Sequence, residues 1–147
     1  MTEKEKEVTT ELVKMQKRGE LKAKIVPLAH HLEKDIDTAL ETGADRVIIS
    51  TNNNPYTLEH IDEISPEDAI KRLTRVTAYA KKNGLFVTAQ IYDTYRTPLD
   101  YMERMHKSVV NEGGADSIAI SDTFAQVLPW TATYMVRKIK SWIPTFV

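Results

Sequence analysis

Three polar residues that directly follow a short apolar run are the first candidates for chemistry. Ser121, Asp122 and Thr123 follow the run 117–120, and Pro129 then begins a predicted helix. In a parallel α/β protein, ligands bind at the loops after the carboxyl ends of the strands. We expect Asp122 to accept hydrogen bonds from N–H groups of its own loop rather than to act as an acid or base. The three residues therefore mark a candidate ligand site.

The first half of this stretch has a close copy upstream. The pattern Gly-Ala-Asp-x-(Val/Ile)-x-Ile-Ser occurs at residues 43–50 and again at 114–121, 71 positions later. A self-similar unit at a fixed spacing is typical of a repeated architecture. Each copy follows a predicted amphipathic helix, so each should deliver a polar loop just after a buried strand.

Two of the four histidines, His30 and His31, are candidates for acid–base chemistry or anion binding. Adjacent residues of a strand point to opposite faces, so only one of His30 and His31 can face a ligand and the two cannot bind one metal ion together. His60 is predicted to lie in a loop and His106 on a helix surface, both facing solvent. The sequence contains no cysteine, which excludes disulfides, thiolate metal sites and a cysteine nucleophile.

Other polar residues follow the remaining predicted strands. Gln90 and Tyr92 are two positions apart and share a face, where their polar groups either line a central cavity or make hydrogen bonds within the core. Arg96 could neutralise a carboxylate, or it could pair with Asp93 and stabilise its own loop. Asn52 begins a run of three asparagines that either contacts a ligand or simply forms a turn.

Composition limits the classes of function. The chain has 147 residues, 28% of them charged, and a net charge of −1, which argues against a nucleic-acid or anionic-membrane surface. No apolar run approaches the ~20 residues of a membrane span, and the N-terminus lacks the apolar core of a signal peptide. We therefore expect one cytoplasmic domain over residues 1–147, with no nucleic-acid or membrane partner.

The periodicity predicts one leading helix and then four β-α units. The leading helix covers residues 3–18, with an apolar stripe of Val8, Leu12, Val13 and Met15. The predicted strands cover residues 21–28, 46–50, 85–92 and 117–121. Their helices cover 32–42, 66–82, a stretch from Pro98 to about residue 110, and a stretch from Pro129 to about residue 140. The segment 51–57 is predicted to be a polar loop, and 143–147 turns apolar again.

Several of these boundaries have strong local signals. Ser65-Pro66-Glu67-Asp68 combines an N-cap, a proline at the first helical position and acidic residues in the first turn. In the last helix, Trp130, Met135, Val136 and Ile139 form the predicted apolar face. Strands that alternate with helices imply a parallel sheet, which is either about half of an eight-unit (β/α)8 TIM barrel or a four-stranded open sheet.

Three motifs resemble one enzyme family in order and spacing. Residues 28–39 (Leu-Ala-His-His-Leu-Glu-Lys-Asp-Ile-Asp-x-Ala), Asp93-x-x-Arg96-Thr97-Pro98 and Asp122-Thr123-Phe124-Ala125-x-x-x-Pro129 are similar to segments of the isopropylmalate synthase, homocitrate synthase and hydroxymethylglutaryl-CoA lyase family. The motifs span residues from about 20 to 143. The resemblance implies a partial TIM barrel from a metal-dependent enzyme that makes or breaks a carbon–carbon bond between an acyl-CoA and a 2-oxo acid.

The sequence also departs from the family pattern. The resemblance implies a divalent ion (Mg, Mn or Zn) held by an Asp-Arg-Glu motif on the first strand and a His-x-His pair on a late strand, and neither motif occurs here. His30 stands where the synthases have Arg, Gln90-Ile91-Tyr92 stands where they have Ser-x-Glu, and Ala125 replaces a glycine. Thr123 is retained, and the resemblance implies that it binds a substrate carboxylate; the alternative is a turn that satisfies its own loop.

These observations lead to one principal hypothesis and two alternatives. The principal hypothesis is a fragment or divergent member of a Claisen-type synthase or lyase, beginning after the first strand of the barrel and ending at the onset of the sixth, and inactive by itself because it lacks the metal ligands. Its expected substrate contacts are His30, Asn52, Gln90, Tyr92, Arg96 and Thr123. The alternatives are a non-catalytic half-barrel that self-associates or binds a chain completing the barrel, and an aldolase or carboxyltransferase relative acting on pyruvate-like substrates.

Overall fold

The computed structural model describes residues 1–144. Its helices are α1 (Glu3–Lys17), α2 (Glu33–Glu41), α3 (Pro55–His60), α4 (Pro66–Lys82), α5 (Leu99–Asn111) and α6 (Pro129–Trp142). Its strands are β1 (Leu28–Ala29), β2 (Arg46–Thr51), β3 (Phe86–Ile91) and β4 (Ser117–Ile120), and a 3₁₀ turn covers Thr94–Arg96. None of the helices in residues 1–144 is long and apolar enough to cross a membrane.

The four strands form one parallel sheet in the order β1-β2-β3-β4. Leu28 pairs with Ile48, Ile48 with Thr88, and Thr88 with Ser117, so the strands follow one another in sequence and in space. Each strand is followed by a helix of its own unit. A leading helix and four β-α units, the architecture of part of a TIM barrel, are therefore confirmed.

The core lies between the sheet and its helices. Val47 and Ile49 of β2 and Val87 of β3 point to this side and are fully buried. The helices cover them with their own apolar residues, which are Ile36, Leu73, Val76, Met105 and Val109. Fully burying each such side chain contributes roughly 1.5–3 kcal/mol. Packing on this face therefore holds the carboxyl ends of the strands in fixed positions.

Helix α4 has the boundaries that its caps predict. The Ser65 hydroxyl accepts a hydrogen bond from the Asp68 N–H at 3.1 Å, and Pro66 is the first helical residue. The predicted apolar face is buried, with Ile70, Leu73, Val76, Thr77 and Ala80 all inside. Because both the caps and the spacing are local signals, the sequence was sufficient to predict this helix.

The two copies of the repeat adopt the same local structure. Gly43 and Gly114 both follow a helix and have left-handed backbones, with φ of 76° and 72°. The alanine after each glycine is buried. The repeat is therefore a helix-ending turn and a strand, used twice in one sheet.

The strand predicted for residues 21–28 is wrong in length. Only Leu28–Ala29 pairs with β2, and the Pro27 carbonyl accepts one further bond from the Ile48 N–H. The Ile25 N–H instead donates to the Gln16 side chain of α1 at 2.7 Å. A side chain from α1 thus replaces the strand partner, and Pro27 has no N–H to donate.

The loop predicted for residues 51–57 is also wrong, because Pro55 begins the short helix α3. The Asn54 side chain accepts from the Tyr56 N–H at 2.9 Å and caps this helix. His60 is the last residue of α3 and not part of a loop, and it is exposed as expected. The apolar residues predicted from 143 onward lie within the described residues only up to Pro144.

Several predicted apolar faces are exposed. Val8 and Leu12 of α1 are accessible, and only Val13 is fully buried there, because α1 packs on α2 along one side only. Trp130 and Val136 of α6 are exposed as well, whereas Met135 and Ile139 are buried. The unburied residues lie on the first and last helices, beside the two outer strands of the sheet that residues 1–144 form.

His106 is fully buried, which corrects its predicted position on a helix surface. Helix α5 packs on both α4 and α6, so its buried face is wider than one stripe. The His106 Nδ1 bonds the Met102 carbonyl at 2.7 Å, and the ring lies 6.1 Å from that of Trp142. Burial lowers the pKa of His106, since the charged ring is poorly solvated there.

Candidate functional site

A chain of hydrogen bonds crosses the sheet near its carboxyl edge. The Ser50 hydroxyl donates to the Gln90 amide oxygen at 3.2 Å, and the Gln90 amide nitrogen donates to the Ser121 hydroxyl at 3.1 Å. Ser50 and Ser121 are the final residues of the two repeats. We call these three residues the polar ladder; it lies on the face of the sheet opposite the helices, here called the open face.

A second pair of hydroxyls lies deeper on the same face. Thr88 and Ser117 are register partners, and their hydroxyl oxygens are 2.6 Å apart. Tyr92, two residues after Gln90 and half-buried, continues the row past the end of β3. The open face thus carries neutral polar groups at spacings that suit hydrogen bonds to a polar ligand.

Asp93 organises the loop after β3. Its backbone is left-handed, with φ of 54°, and it is largely buried. The Arg96 guanidinium donates to both of its carboxylate oxygens, at 2.8 and 2.6 Å, which is one of the two alternatives predicted for Arg96. The guanidinium carbon also lies 3.8 Å from the centre of the Phe124 ring. A substrate carboxylate that used Arg96 would therefore compete with Asp93.

The same loop is bonded to both of its neighbours. The Asn54 amide donates to the Asp93 carboxylate at 2.9 Å, and the Thr123 hydroxyl accepts from the Asp93 N–H at 2.9 Å. The Thr94 hydroxyl accepts from the Ser121 N–H at 3.1 Å. Thr123 is exposed and bonds another loop rather than its own. Its predicted contact with a substrate stays a prediction.

Asp122 accepts hydrogen bonds within its own loop, as predicted. Its two carboxylate oxygens accept from the Gln126 and Val127 N–H groups, each at 3.0 Å. Ala125, which lies between Asp122 and these two residues in the sequence, has a left-handed backbone with φ of 51°. This is the position at which the resembling enzymes have glycine, and the conformation is the one that glycine adopts without strain.

The two histidines after β1 differ in exposure. The His30 side chain is exposed, and the His30 backbone N–H donates to the Asp35 carboxylate at 3.1 Å. His31 is half-buried, and its Nδ1 has no hydrogen-bond partner among the described residues. Burial lowers the pKa of His31, and the charge of Arg72 lowers it further. His30 is therefore the more accessible of the two to a ligand at the carboxyl edge.

The asparagine run after β2 divides into three roles. Asn52 donates to the Asp62 carboxylate at 2.8 Å, and Asn54 caps α3. Asn53 is fully buried, and neither of its amide atoms has a partner within residues 1–144. The alternation of β2 could have revealed this buried amide, because Asn53 is two positions after the buried Thr51. The polar ladder could also have been predicted in part, because Ser50 and Ser121 are the final residues of the two repeats.

The described residues do not supply a metal site. Within residues 1–144, no group of three or more His, Asp or Glu side chains is placed to hold a metal ion. His30 and His31 do not combine with a carboxylate into such a group. The divalent ion that the resemblance implies therefore does not fit the donors of this part of the chain.

A family model described as HMGL-like matches residues 1–147. Homocitrate synthase AksA of Methanothermobacter thermautotrophicus is 31% identical over 120 residues, covering 82% of this chain and 30% of that protein. The 2-isopropylmalate synthase of Methanocaldococcus jannaschii is also 31% identical over 120 residues, covering 82% of this chain and 23% of that protein. The chain thus spans about a third or less of these curated relatives.

Solved structures show the same fold. The hydroxymethylglutaryl-CoA lyase from Pseudomonas aeruginosa matches with a TM-score of 0.66 and 18% identity, over 83% of this chain and 42% of that one. The HMG-CoA lyase from Brucella melitensis matches with a TM-score of 0.64 and 17% identity, over 79% and 42%. The order of the motifs, the parallel half-barrel and the family match agree: this chain belongs to the HMGL-like family and forms part of its TIM barrel.

Proposed function

We propose that this chain is one part of an HMGL-like enzyme that makes or breaks a carbon–carbon bond between an acyl-CoA and a 2-oxo acid, and that it is inactive without the remainder of the barrel. The main support for the proposal is the polar ladder at the carboxyl edge of the sheet. The ladder lies in a half-barrel that belongs to the HMGL-like family. The named relatives are a homocitrate synthase, a 2-isopropylmalate synthase and hydroxymethylglutaryl-CoA lyases.

Inactivity of the isolated chain follows from what its carboxyl edge lacks. Residues 1–144 have no donor set for a divalent ion, and such an ion polarises the oxo group in this type of chemistry. Arg96 is neutralised by Asp93. The polar ladder consists of serine and glutamine side chains, which carry no charge, so it can orient a substrate but supplies little stabilisation for developing negative charge.

We assign substrate contact to three of the predicted residues. Gln90 is held from both sides by Ser50 and Ser121, so its amide has a fixed orientation. Tyr92 lies on the same face, and His30 is accessible two residues beyond Leu28, which also lies there. Preorganised polar groups of this kind bind a polar substrate without losing much conformational entropy.

The other three predicted residues have partners within the chain. Arg96 pairs with Asp93, Thr123 bonds the Asp93 backbone, and Asn52 bonds Asp62. We propose that they act chiefly by holding the loops after β2, β3 and β4 together. Their substitution should therefore disturb stability as well as any binding of substrate.

A hybrid barrel tests the proposed reaction. The 120-residue stretch of this chain that matches Methanothermobacter homocitrate synthase would replace the matching part of that enzyme. CoA release would be measured with a panel of acyl-CoAs and 2-oxo acids. We expect metal-dependent CoA release from the hybrid and none from the isolated chain. Gln90→Leu should reduce the release at least tenfold, whereas Asn83→Ala, at the opposite edge of the sheet, should leave it unchanged. Absence of turnover across the panel would count against the proposed reaction.

A non-catalytic role in assembly is the second candidate, and exposed apolar residues on the first and last helices favour it. Val8 and Trp130 are 53% and 68% accessible. A binding subunit would keep these surfaces and have no need of the polar ladder. Retained partner binding with no CoA release in any combination would support this candidate over the enzyme.

A further inference from the structure

The Gln90 side chain keeps hydrogen-bonding capacity that its partners do not use. Its amide oxygen accepts from the Ser50 hydroxyl at 3.2 Å, and its amide nitrogen donates to the Ser121 hydroxyl at 3.1 Å. A primary amide has two N–H donors and two oxygen lone pairs. Within residues 1–144, one N–H and one lone pair of this half-buried amide therefore remain for a ligand.

The two unused groups lie side by side. Ser50 belongs to β2 and Ser121 directly follows β4, so they approach the Gln90 amide of β3 from opposite sides. Each serine takes an outer position, and the remaining N–H and lone pair lie between them at the tip of the side chain. Turning the amide over would exchange the two serine partners and leave the same pair, because a hydroxyl both donates and accepts.

The open face leaves room for a ligand beside Gln90. The register partner of Gln90 on β2 is Ser50, and on β4 it is Ala119, so both flanking side chains are small. Tyr92, two residues further along the same face, bounds this space toward the carboxyl edge. A ligand group can therefore reach the tip of the Gln90 amide from the open face.

A carboxylate does not match the tip of Gln90. It carries only acceptor oxygens, so it would use the free N–H and bring a second acceptor against the free lone pair. The guanidinium of Arg96, in the loop after β3, is already bonded to both carboxylate oxygens of Asp93. Arg96 would have to give up that pair before it could neutralise a carboxylate at this position.

Two further basic residues lie at a distance from Gln90. Arg46 is four residues before Ser50 on the same face, about 13 Å along β2, and it bonds Asp45 at 3.0 Å. The register of β1 with β2 places His30 level with Ser50, and therefore two strands or about 10 Å from Gln90. The surroundings of the amide tip thus favour a neutral ligand group.

A primary carboxamide matches both free groups of Gln90. Its N–H and its carbonyl lie on one edge, so it can donate to the Gln90 oxygen and accept from the Gln90 nitrogen at the same time. The secondary amides of an acyl-CoA arm are trans, with N–H and C=O pointing in opposite directions, and they cannot make this pair. A carboxylic acid would offer the same edge only when protonated, at a pH near or below about 4.

We propose that the polar ladder recognises a 2-oxo acid whose far end is a primary carboxamide, which Gln90 binds through two hydrogen bonds. The proposal rests on the proposed function in taking the ligand to be a 2-oxo acid. Because Ser50 and Ser121 hold the amide from both sides, it cannot turn to offer two N–H groups to a carboxylate. An isosteric ligand that lacks the donor or the acceptor leaves a group of Gln90 unpaired in a partly buried site.

Isosteric ligands test this specificity in the isolated chain. The probes are 2-oxo acids with two or three methylene groups between the oxo carbon and a terminal carboxamide, carboxylate or isopropyl group. Binding would be followed by nitrogen-15 NMR through the side-chain N–H signals of Gln90. We expect the carboxamides to shift both signals and to bind at least fivefold more tightly than either isostere. Equal shifts with all three end groups, or no shift with the carboxamides, would overturn the proposal.

Substitutions in and away from the ladder separate recognition from folding. Gln90→Leu should weaken carboxamide binding at least tenfold and change isopropyl binding less than threefold. Ser121→Ala keeps the free N–H and lone pair of Gln90, so the preference for the carboxamide should persist. Asn83→Ala removes an amide at the opposite edge of the sheet and should leave binding of all three end groups unchanged. A carboxamide preference that survives in a folded Gln90→Leu contradicts the assignment; if that variant does not fold, the Gln90 signals of the unmodified chain decide.

The hybrid barrel separates this proposal from the proposed reaction. There we expect kcat/KM for CoA release to be at least thirtyfold higher with the carboxamide than with its carboxylate or isopropyl isostere. Turnover that prefers either isostere would overturn the proposal. Carboxamide binding to the isolated chain without CoA release from the hybrid would sustain this inference while the proposed reaction failed.

Discussion

Strands β2 and β4 have the same sequence unit but different surroundings. Residues 43–50 and 114–121 share a left-handed glycine, a buried alanine and a final serine that bonds Gln90. In β2, which has a neighbour on each side, Val47 and Ile49 are fully buried; in β4, Ile118 and Ile120 are only half-buried. The local sequence determines the backbone of the unit, whereas its burial depends on what lies beside it.

The largest expected difference between the two copies is in their isoleucines. Ile49→Ala should lower the free energy of unfolding by about 3 kcal/mol, because it leaves a cavity in a closed core. Ile120→Ala, at the equivalent position, should cost roughly 1 kcal/mol, because that side chain already contacts solvent. Urea unfolding of the two variants measures both. Equal losses would mean that β4 is as well covered as β2.

The glycines of the two copies should behave alike. Gly43→Ala and Gly114→Ala should each cost about 1–2 kcal/mol, since both residues have positive φ. The new Cβ would meet the Lys17 ammonium nitrogen at 3.2 Å in one case and the Lys81 side chain at 3.6 Å in the other, and both neighbours are flexible. Thermal unfolding compares the two variants. A difference well above 1 kcal/mol would show that the turns are not equivalent.

Substitution of the final serine should also destabilise the two copies to different extents, but the difference in unfolding free energy should be smaller than for the isoleucines. Ser50→Ala should cost about 1–2 kcal/mol, because Ser50 is buried and its loss leaves the Gln90 oxygen without a donor. Ser121→Ala should cost roughly 0.5 kcal/mol, because water can reach that position and replace the hydroxyl. Chemical denaturation at one pH gives both values. A larger loss at Ser121 would reverse the expected order.

At neutral pH the smallest effect concerns His106, in the packing behind β4. Burial lowers the pKa of His106 in the folded chain. Below about pH 6.5 the unfolded chain therefore binds more protons than the folded chain, and stability decreases as the pH is lowered. His106→Leu should reduce this acid sensitivity while leaving stability at pH 8 little changed. Unfolding curves between pH 8 and pH 5 measure it. An unaltered pH dependence in the variant would contradict the assignment.

Local signals in the sequence were sufficient for some elements and not for others. The caps and spacing of α4 gave its boundaries because both act within the helix. The alternation of residues 21–27 predicts a strand. In the folded chain the Ile25 N–H donates to the side chain of Gln16 in α1 instead of to a neighbouring strand, and this long-range contact is not visible in the local pattern. His106 was expected at the surface because a single apolar stripe was assumed, whereas α5 packs on both α4 and α6 and buries His106.

The site was predictable to a similar extent. The pairing of Arg96 with Asp93 was one of two alternatives that their spacing allowed, and the position of Gln90 and Tyr92 on one face followed from strand alternation. The contact between Thr123 and the Asp93 backbone joins residues 30 positions apart and depends on the order of the strands. The unpartnered amide of Asn53 likewise depends on how the loops after β2 pack.

Hydrogen exchange at the two repeats tests the central claim, that β2 lies inside the sheet whereas β4 is the outer strand of the part that residues 1–144 describe. In the isolated chain, we expect the amides of residues 46–51 to exchange only by global unfolding and those of 117–120 to exchange at least tenfold faster, by local opening. In the hybrid barrel, the amides of residues 117–120 should exchange as slowly as those of residues 46–51. Equal protection of the two segments in the isolated chain would contradict the account.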